Sequence, residues 1–114
     1  MIYFYMMKLS TEAIIATTKL TEYLLVWKPE NDKSQWLEKA GYTVDNWQQL
    51  ENDLRIQILP LDLTYIETTR FGQLYQIIGI INSPNGRELS VRTIWMIEHE
   101  SGLTKFITMY PNKD

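Results

Sequence analysis

The chain has 114 residues, 45% of them hydrophobic and 22% charged, so it is long enough to fold as one domain around its own core. It contains no cysteine, which excludes disulfides, thiolate catalysis and thiolate metal sites, and which predicts a reducing, cytoplasmic location. Its net charge of −3 counts against a dedicated DNA-binding protein with a broadly basic surface, but it is compatible with a nuclease that has a small cationic patch.

The first seven residues are almost entirely apolar. They lack the basic region and the small-residue cleavage site of a signal peptide, and they are too few to span a bilayer. We therefore interpret residues 1–7 as a leader of one domain that comprises residues 1–114, and we expect no membrane association.

Two short helices are predicted next. The first covers residues 17–25, in which apolar residues recur at helical spacing: Leu20, Tyr23 and Leu24. The second covers residues 33–40 and begins at a cap formed by Asp32, because an aspartate oxygen can accept hydrogen bonds from the first free N–H groups. We expect Trp36 and Leu37 to face inward from it.

The longest predicted helix begins at Thr43 and ends at Pro60, which cannot continue a helix. Its apolar residues recur at intervals of three and four and predict one buried stripe: Val44, Trp47, Leu50, Leu54 and Ile58. The polar residues on the other face are expected only to meet water: Gln48, Gln49, Glu51, Asn52 and Arg55.

After Pro60 the apolar period changes to two, which predicts strands rich in β-branched and aromatic residues. The predicted strands cover residues 61–69, 73–81, 87–98 and 104–110. Turn signals at residues 83–86 and 100–102 predict hairpins. The fold class predicted from this order is α+β, with N-terminal helices packed on one face of a roughly four-stranded antiparallel sheet.

His99 is the only histidine, which excludes paired-histidine catalysis and histidine-cluster metal sites. It flanks a predicted turn, where we interpret it as a solvent-exposed residue. Glu98 and Glu100 beside it are interpreted as an exposed strand edge, and no glycine-rich phosphate loop is present. We therefore predict no metal and no cofactor.

The strand at residues 87–98 has two different faces. Side chains of a strand alternate, so Thr93 and Trp95 share one face, whereas Arg92 points to the other. Thr93 and Trp95 either pack beneath the helices or line an open face, where the indole could stack on a base and the hydroxyl could bind phosphate. The sequence leaves both alternatives open.

Two further cations lie at positions suited to an anion. Lys33 opens a predicted helix, whose first N–H groups favour negative charge, and Arg87 follows a predicted hairpin turn. Each residue alone is more often simply a solvated surface charge.

Several segments resemble a bacterial family of domains of unknown function. In the C-terminal half the family pattern is roughly YGxxY, GPNGR, VRTVW and LVTAYP, and the similar segments here are residues 70–75, 83–87, 91–95 and 107–111. Residues 23–25 and 33–41 also resemble the family's YLL and KAxFFxxLGF stretches, so the resemblance covers nearly the whole chain.

Such domains occur in small operons similar to toxin–antitoxin pairs and at the C-termini of secreted polymorphic toxins. This setting and the order of helices before sheet resemble the metal-independent ribonucleases of the barnase, colicin D and RelE group. The resemblance implies a toxin-like ribonuclease that acts by 2′-hydroxyl attack without a cofactor, and it implies a cognate antitoxin protein as partner.

The same resemblance implies a set of site residues. The catalytic group would stabilise the reacting phosphate, with Trp95 positioning a base: Lys33, Arg87, Arg92, Thr93 and Trp95. Further RNA contacts are expected from Arg70, Tyr75, Thr108 and Tyr110.

A second hypothesis is a non-catalytic binding module, such as an immunity, antitoxin or adaptor protein. The family usually carries a histidine before the lysine that corresponds to Lys33, whereas residues 28–32 contain none. Residues 1–69 also hold six lysines and arginines against ten acidic residues. The missing general base and the acidic half both favour binding without catalysis.

Overall fold

Within residues 8–30 and 32–113, which the computed structural model describes, three short helices precede a four-stranded antiparallel sheet. The α+β class predicted from the change of period is confirmed. The leader predicted at residues 1–7 lies outside the described residues.

Helix α1 consists of an α-helical turn, Thr17–Lys19, and a π-helical stretch, Leu20–Leu24. In the π-helical stretch the N–H of Leu25 donates to the carbonyl five residues earlier. This wider turn places both Leu24 and Leu25 in the core. Tyr23, which the helical spacing predicted to be on the apolar face, is 40% exposed.

Helix α2, Ser34–Lys39, begins one residue later than predicted, after Lys33 at the N-cap position. The carboxylate of Asp32 accepts a hydrogen bond from the first helical N–H at 3.2 Å, so the predicted capping role is confirmed. Leu37 is fully buried, and Trp36 is half-buried against the core.

Helix α3 has three parts: a 3-10 turn at Val44–Asn46, an α-helix at Trp47–Asp53 and a π-helical stretch at Leu54–Ile58. The predicted cap at Thr43 is confirmed, because its N–H donates to Asn46 Oδ1 at 2.7 Å in a capping box. Leu50, Leu54 and Ile58 are fully buried. Val44 is 41% exposed, because a 3-10 turn does not follow the period of 3.6 that placed it in the stripe.

The sheet is a meander in which each strand pairs with the next, in the order β1-β2-β3-β4. Its strands are β1 Thr64–Thr68, β2 Gly72–Asn82, β3 Glu88–Glu98 and β4 Thr104–Pro111. Strand β1 begins three residues later than predicted, because the Leu61 N–H donates to the Ile58 carbonyl and extends the turn past Pro60.

One face of the sheet packs on the helices. A Cβ atom added at Gly79 would lie 2.5 Å from a methyl carbon of Leu61 and 3.0 Å from one of Ile58, so a larger residue here would require these two side chains to shift. The residues of this buried face alternate along β2 and β3, whereas in β4 the alternation is interrupted opposite the register shift between Ile94 and Trp95. They include Tyr75, Ile77, Ile81, Val91, Thr93, Trp95, Phe106 and Met109. We call the opposite face the open face; it carries Gln76, Ile78, Arg92, Ile94, Thr108 and Tyr110.

The segment before α1 covers the first half of the β4 edge. Ile14 accepts a backbone hydrogen bond from Phe106 and donates one to Thr104, both at 2.8 Å. Arg55 donates to the Ala13 carbonyl at 2.8 Å, so its predicted role of only meeting water is wrong. The second half of the β4 edge is left beside the start of α2.

Trp95 and Thr93 form a satisfied polar pair inside the core. The Trp95 indole N–H donates to Thr93 Oγ1 at 2.7 Å, and that hydroxyl donates to the Ile77 carbonyl at 2.9 Å. The Trp95 ring also meets Phe106 edge to face, with ring centres 5.2 Å apart. A buried indole N–H without a partner would be costly, so threonine two positions before tryptophan is a stabilising arrangement.

We expect Trp95→Ala to lower the free energy of unfolding by roughly 3–5 kcal/mol, since it leaves a large cavity in the core. The matched control is Trp27→Ala, because Trp27 is 63% exposed; that change should stay within about 0.5 kcal/mol. Urea denaturation of both variants measures the difference. Equal losses would contradict the assignment of Trp95 to the core.

Candidate nucleic-acid interface

The loop between α1 and α2 is closed by one carboxylate. Asp32 Oδ1 accepts hydrogen bonds from the Lys28 N–H at 3.2 Å and from Ser34 Oγ at 2.7 Å. The hydrogen bonds from Ser34 hold the pKa of the Asp32 carboxyl below its usual value, so the group stays ionised as an acceptor. This closure fixes Lys28 and Lys33 at the two ends of one short loop.

Lys33 connects this loop to the open face of the sheet. Its Nζ donates to Thr108 Oγ1 at 3.1 Å and lies 5.4 Å from the ring centre of Tyr110. The same nitrogen lies 5.7 Å from the ring centre of Tyr23, and the Lys28 Nζ lies 3.4 Å from that ring. Ammonium groups over tyrosine rings are stabilised by the ring quadrupole.

Arg92 approaches Tyr110 from the neighbouring strand. Its guanidinium carbon lies 5.9 Å from the Tyr110 ring centre. Two amide oxygens hold the guanidinium, that of Gln76 at 3.2 Å and that of Asn112 at 3.3 Å. Neutral oxygens orient the group without cancelling its charge.

We call the group that these contacts join the cationic cluster: Tyr23, Lys28, Lys33, Arg92, Thr108 and Tyr110. None of its three cations forms an ion pair with a carboxylate among the residues described. Burial lowers the pKa of the Lys33 ammonium, and the like charge of Lys28 lowers it further. The cluster is therefore an uncompensated positive site next to aromatic rings, which suits an anionic, ring-bearing ligand.

Thr93 and Trp95 lie outside the cationic cluster. Both are fully buried on the helix-facing side of β3, so the expectation that they line a surface together with Lys33 is wrong. Tyr75, predicted as an RNA contact, is only 6% exposed, and its hydroxyl donates to Gln73. The core alternative for Thr93 and Trp95 therefore holds, and Tyr75 belongs to the same core, because their face of the sheet is the one that the helices cover.

Arg87 and Arg70 are exposed and lie away from each other. The turn before Arg87 contacts the C-terminal end of α2, where the Asn85 N–H donates to the Ala40 carbonyl at 3.4 Å, whereas Lys33 lies at the other end of that helix. Arg70 lies in the β1–β2 turn, at the opposite end of β2 from Arg87. The 11 residues of β2 separate these ends by roughly 35 Å.

His99 lies in the β3–β4 turn, where Nε2 is 3.0 Å from the Thr69 carbonyl and the side chain is exposed. Within the described ranges, no group of three or more histidine, aspartate or glutamate side chains is arranged to hold a metal ion. No helix in that part of the chain has the length and apolar character needed to cross a bilayer.

Sequence reasoning missed Tyr23, Lys28 and Gln76 as members or supports of this interface. Gln76 stands two strands away from Tyr110, and only the strand register brings Arg92 between them. The alternation of β3 did place Arg92 on the face opposite Trp95, but it could not reveal which face was open.

The lowered pKa of Lys33 predicts a pH-dependent cost to stability. The unfolded state, in which the pKa is near 10.5, binds more protons than the folded state at pH values between the two pKa values. Stability therefore rises with pH across that window, and below it the charged form destabilises the fold. We expect Lys33→Met to raise the Tm at neutral pH and this gain to shrink as the pH approaches the usual lysine pKa.

Thermal unfolding of wild type and variant over a pH series measures this gain. Lys39→Met is the matched control, because Lys39 is an exposed lysine of the same helix, and its effect should not vary in this way. A Lys33→Met variant that is less stable at neutral pH would show that the hydrogen bond to Thr108 outweighs the cost of burial.

Comparison with known proteins gives one assignment. No curated protein and no solved structure matches the chain. The family model described as a domain of unknown function, DUF6883, matches residues 7–113 and thus spans both the helices and the sheet. The chain therefore belongs to the DUF6883 family of domains of unknown function.

Proposed function

We propose that this domain is a small toxin-like, metal-independent endoribonuclease whose site is the cationic cluster. The observation that carries the proposal is the convergence of Lys28, Lys33 and Arg92 on two tyrosine rings without a carboxylate partner in the described part of the chain. A cognate antitoxin would bind the toxin and prevent cleavage.

RNA suits this site for two reasons. Its phosphates can act as the anionic partners that the three cations do not have among the described residues. Its bases can stack on an aromatic ring such as Tyr110. The chain as a whole carries a net charge of −3, so attraction is confined to this patch. Local attraction favours a substrate that also offers stacking.

The proposed reaction is attack of a ribose 2′-oxygen on the adjacent phosphorus. The 2′-hydroxyl gives its proton to the neutral amine of Lys33, the new O–P bond forms, and the bond to the 5′-oxygen breaks. The departing oxygen takes a proton from solvent, leaving a 2′,3′-cyclic phosphate and a 5′-hydroxyl. Arg92 stabilises the charge that develops on the phosphate oxygens.

A second candidate is a non-catalytic binding module, an immunity, antitoxin or adaptor protein. The burial of Thr93 and Trp95 favours it, because two of the five predicted catalytic residues lie in the core. His99, the one histidine in the chain, also lies outside the cluster. Such a module would use the same cations to bind an anionic partner without cleaving it.

Cleavage of total RNA in EDTA separates the two candidates. We expect Lys33→Ala, which removes the proposed base, and Arg92→Ala, which removes a preorganised charge stabiliser, each to lower the cleavage rate roughly 10²- to 10³-fold. Arg87→Ala is the matched control and should cleave like the wild type, because its turn lies at the far end of α2.

Growth arrest after induced expression should follow the same order of variants. Folded wild-type protein that leaves every RNA intact in EDTA would exclude the ribonuclease and leave the binding module. Loss of cleavage in Arg87→Ala, with Arg92→Ala active, would place the site at the hairpin turn.

The pH profile of cleavage tests Lys33 as the base. Because only the neutral amine accepts a proton, we expect the rate at saturating RNA to rise with pH until it levels above the lowered pKa of Lys33. Lys28→Ala removes the like charge, so the midpoint should move to higher pH. The rate of Lys33→Ala is subtracted as background. If the midpoint of the Lys28→Ala profile then stays unchanged or moves to lower pH, Lys33 is not the base.

A further inference from the structure

Trp27 is an aromatic side chain that the cationic cluster does not use. It is 63% exposed, and it immediately precedes Lys28 of the cluster in the chain. It lines a pocket of about 180 Å³ together with Leu25, Ser34, Glu38, Tyr42 and Thr43. This volume suits one planar ring system rather than a drug-sized molecule, which needs at least about 300 Å³.

Among its described lining residues, the pocket contains one acidic side-chain group, the Glu38 carboxylate, that is free to bind a ligand. The Tyr42 hydroxyl donates to Asp53, and the Ser34 hydroxyl donates to Asp32, so both are already engaged. The Glu38 carboxylate makes no hydrogen bond or ion pair with any residue of the described ranges. The pocket therefore combines a stacking surface, Trp27, with a carboxylate that has room for two hydrogen bonds.

The pocket is continuous in sequence with the cationic cluster. Ser34 lines the pocket, and the preceding residue, Lys33, reaches Thr108 at 3.1 Å. At the other end of the loop, Trp27 precedes Lys28, whose Nζ lies over the Tyr23 ring. The two lysines of the cationic cluster are thus direct chain neighbours of two residues that line the pocket.

We infer that the pocket is a guanine subsite of the RNA interface, an inference that rests on the proposed function. The Watson–Crick edge of guanine presents two adjacent donors, N1–H and the N2 amino group, and one carboxylate can accept from both. Adenine, cytosine and uracil offer no such pair on that edge. Glu38 selects guanine in this way, Trp27 stacks on its ring, and the negative charge of the pocket disfavours free phosphate.

Binding to RNA that cannot be cleaved tests the subsite. The probes are short fluorescent 2′-O-methyl oligouridines with one central guanine, adenine or cytosine, since a methylated 2′-oxygen cannot attack phosphorus. We expect the guanine probe to bind roughly 5- to 150-fold more tightly than the others, the range for one bidentate base contact. Fluorescence anisotropy measures each Kd.

Substitutions at two positions should separate the contribution of the carboxylate from that of the stacking ring. Glu38→Gln should remove the preference for guanine, because an amide offers one acceptor where the carboxylate offers two. Trp27→Ala should weaken binding of the guanine probe roughly 5- to 150-fold, as loss of one stacked base does, and Trp27→Phe should restore part of it. Glu12→Gln, at an exposed glutamate outside the pocket, should behave like the wild type.

The outcomes distinguish this subsite from the ribonuclease proposal. Wild-type protein without a preference for guanine, or a Glu38→Gln variant that retains the preference, would overturn the subsite. A guanine preference in protein that cleaves no RNA would support the subsite and exclude the ribonuclease. Cleavage of ordinary RNA without any base preference would exclude the subsite alone.

Discussion

The constraint on which the rest of the domain depends is the burial of Trp95 with its indole N–H satisfied. A hydroxyl two residues earlier on the same face of the strand accepts its hydrogen bond, since Thr93 Oγ1 lies 2.7 Å from the indole nitrogen. Because successive side chains of a strand alternate, this pair forces Arg92 onto the open face. The core and the candidate interface are therefore two faces of the same strand.

A second constraint connects the start of α2 to the edge of that open face. Asp32 holds both ends of its loop, and the Lys33 side chain then reaches Thr108 at the β4 edge. The first half of the same edge is already paired with Ile14. The fold thus leaves one short stretch of edge where residues of a helix and of the sheet meet, and the cationic cluster forms there.

The positive charge of the interface depends on the lack of carboxylate partners for its cations among the described residues. Arg92 is oriented by the amides of Gln76 and Asn112, and Lys33 by a hydroxyl, so both orientation and positive charge are kept. Partial burial makes the charge of Lys33 costly and brings its neutral form closer to physiological pH. A site that binds an anion and a site that accepts a proton can share this arrangement, which is why cleavage and its pH profile, rather than binding alone, separate the two proposed functions.

The sequence by itself determined the class of the fold, the approximate bounds of its helices and strands, the caps at Asp32 and Thr43, and the opposite orientation of Arg92 and Trp95. These features follow from periodicity and from short-range hydrogen bonds, which involve residues a few positions apart. Tertiary structure alone decided which face of the sheet the helices cover, and hence that Thr93, Trp95 and Tyr75 are core residues. It also decided that Lys33 meets Tyr110, whereas Arg70 and Arg87 lie at opposite ends of β2. Those outcomes depend on strand register and helix docking between residues far apart in the chain, and a period of two is the same whichever face is buried.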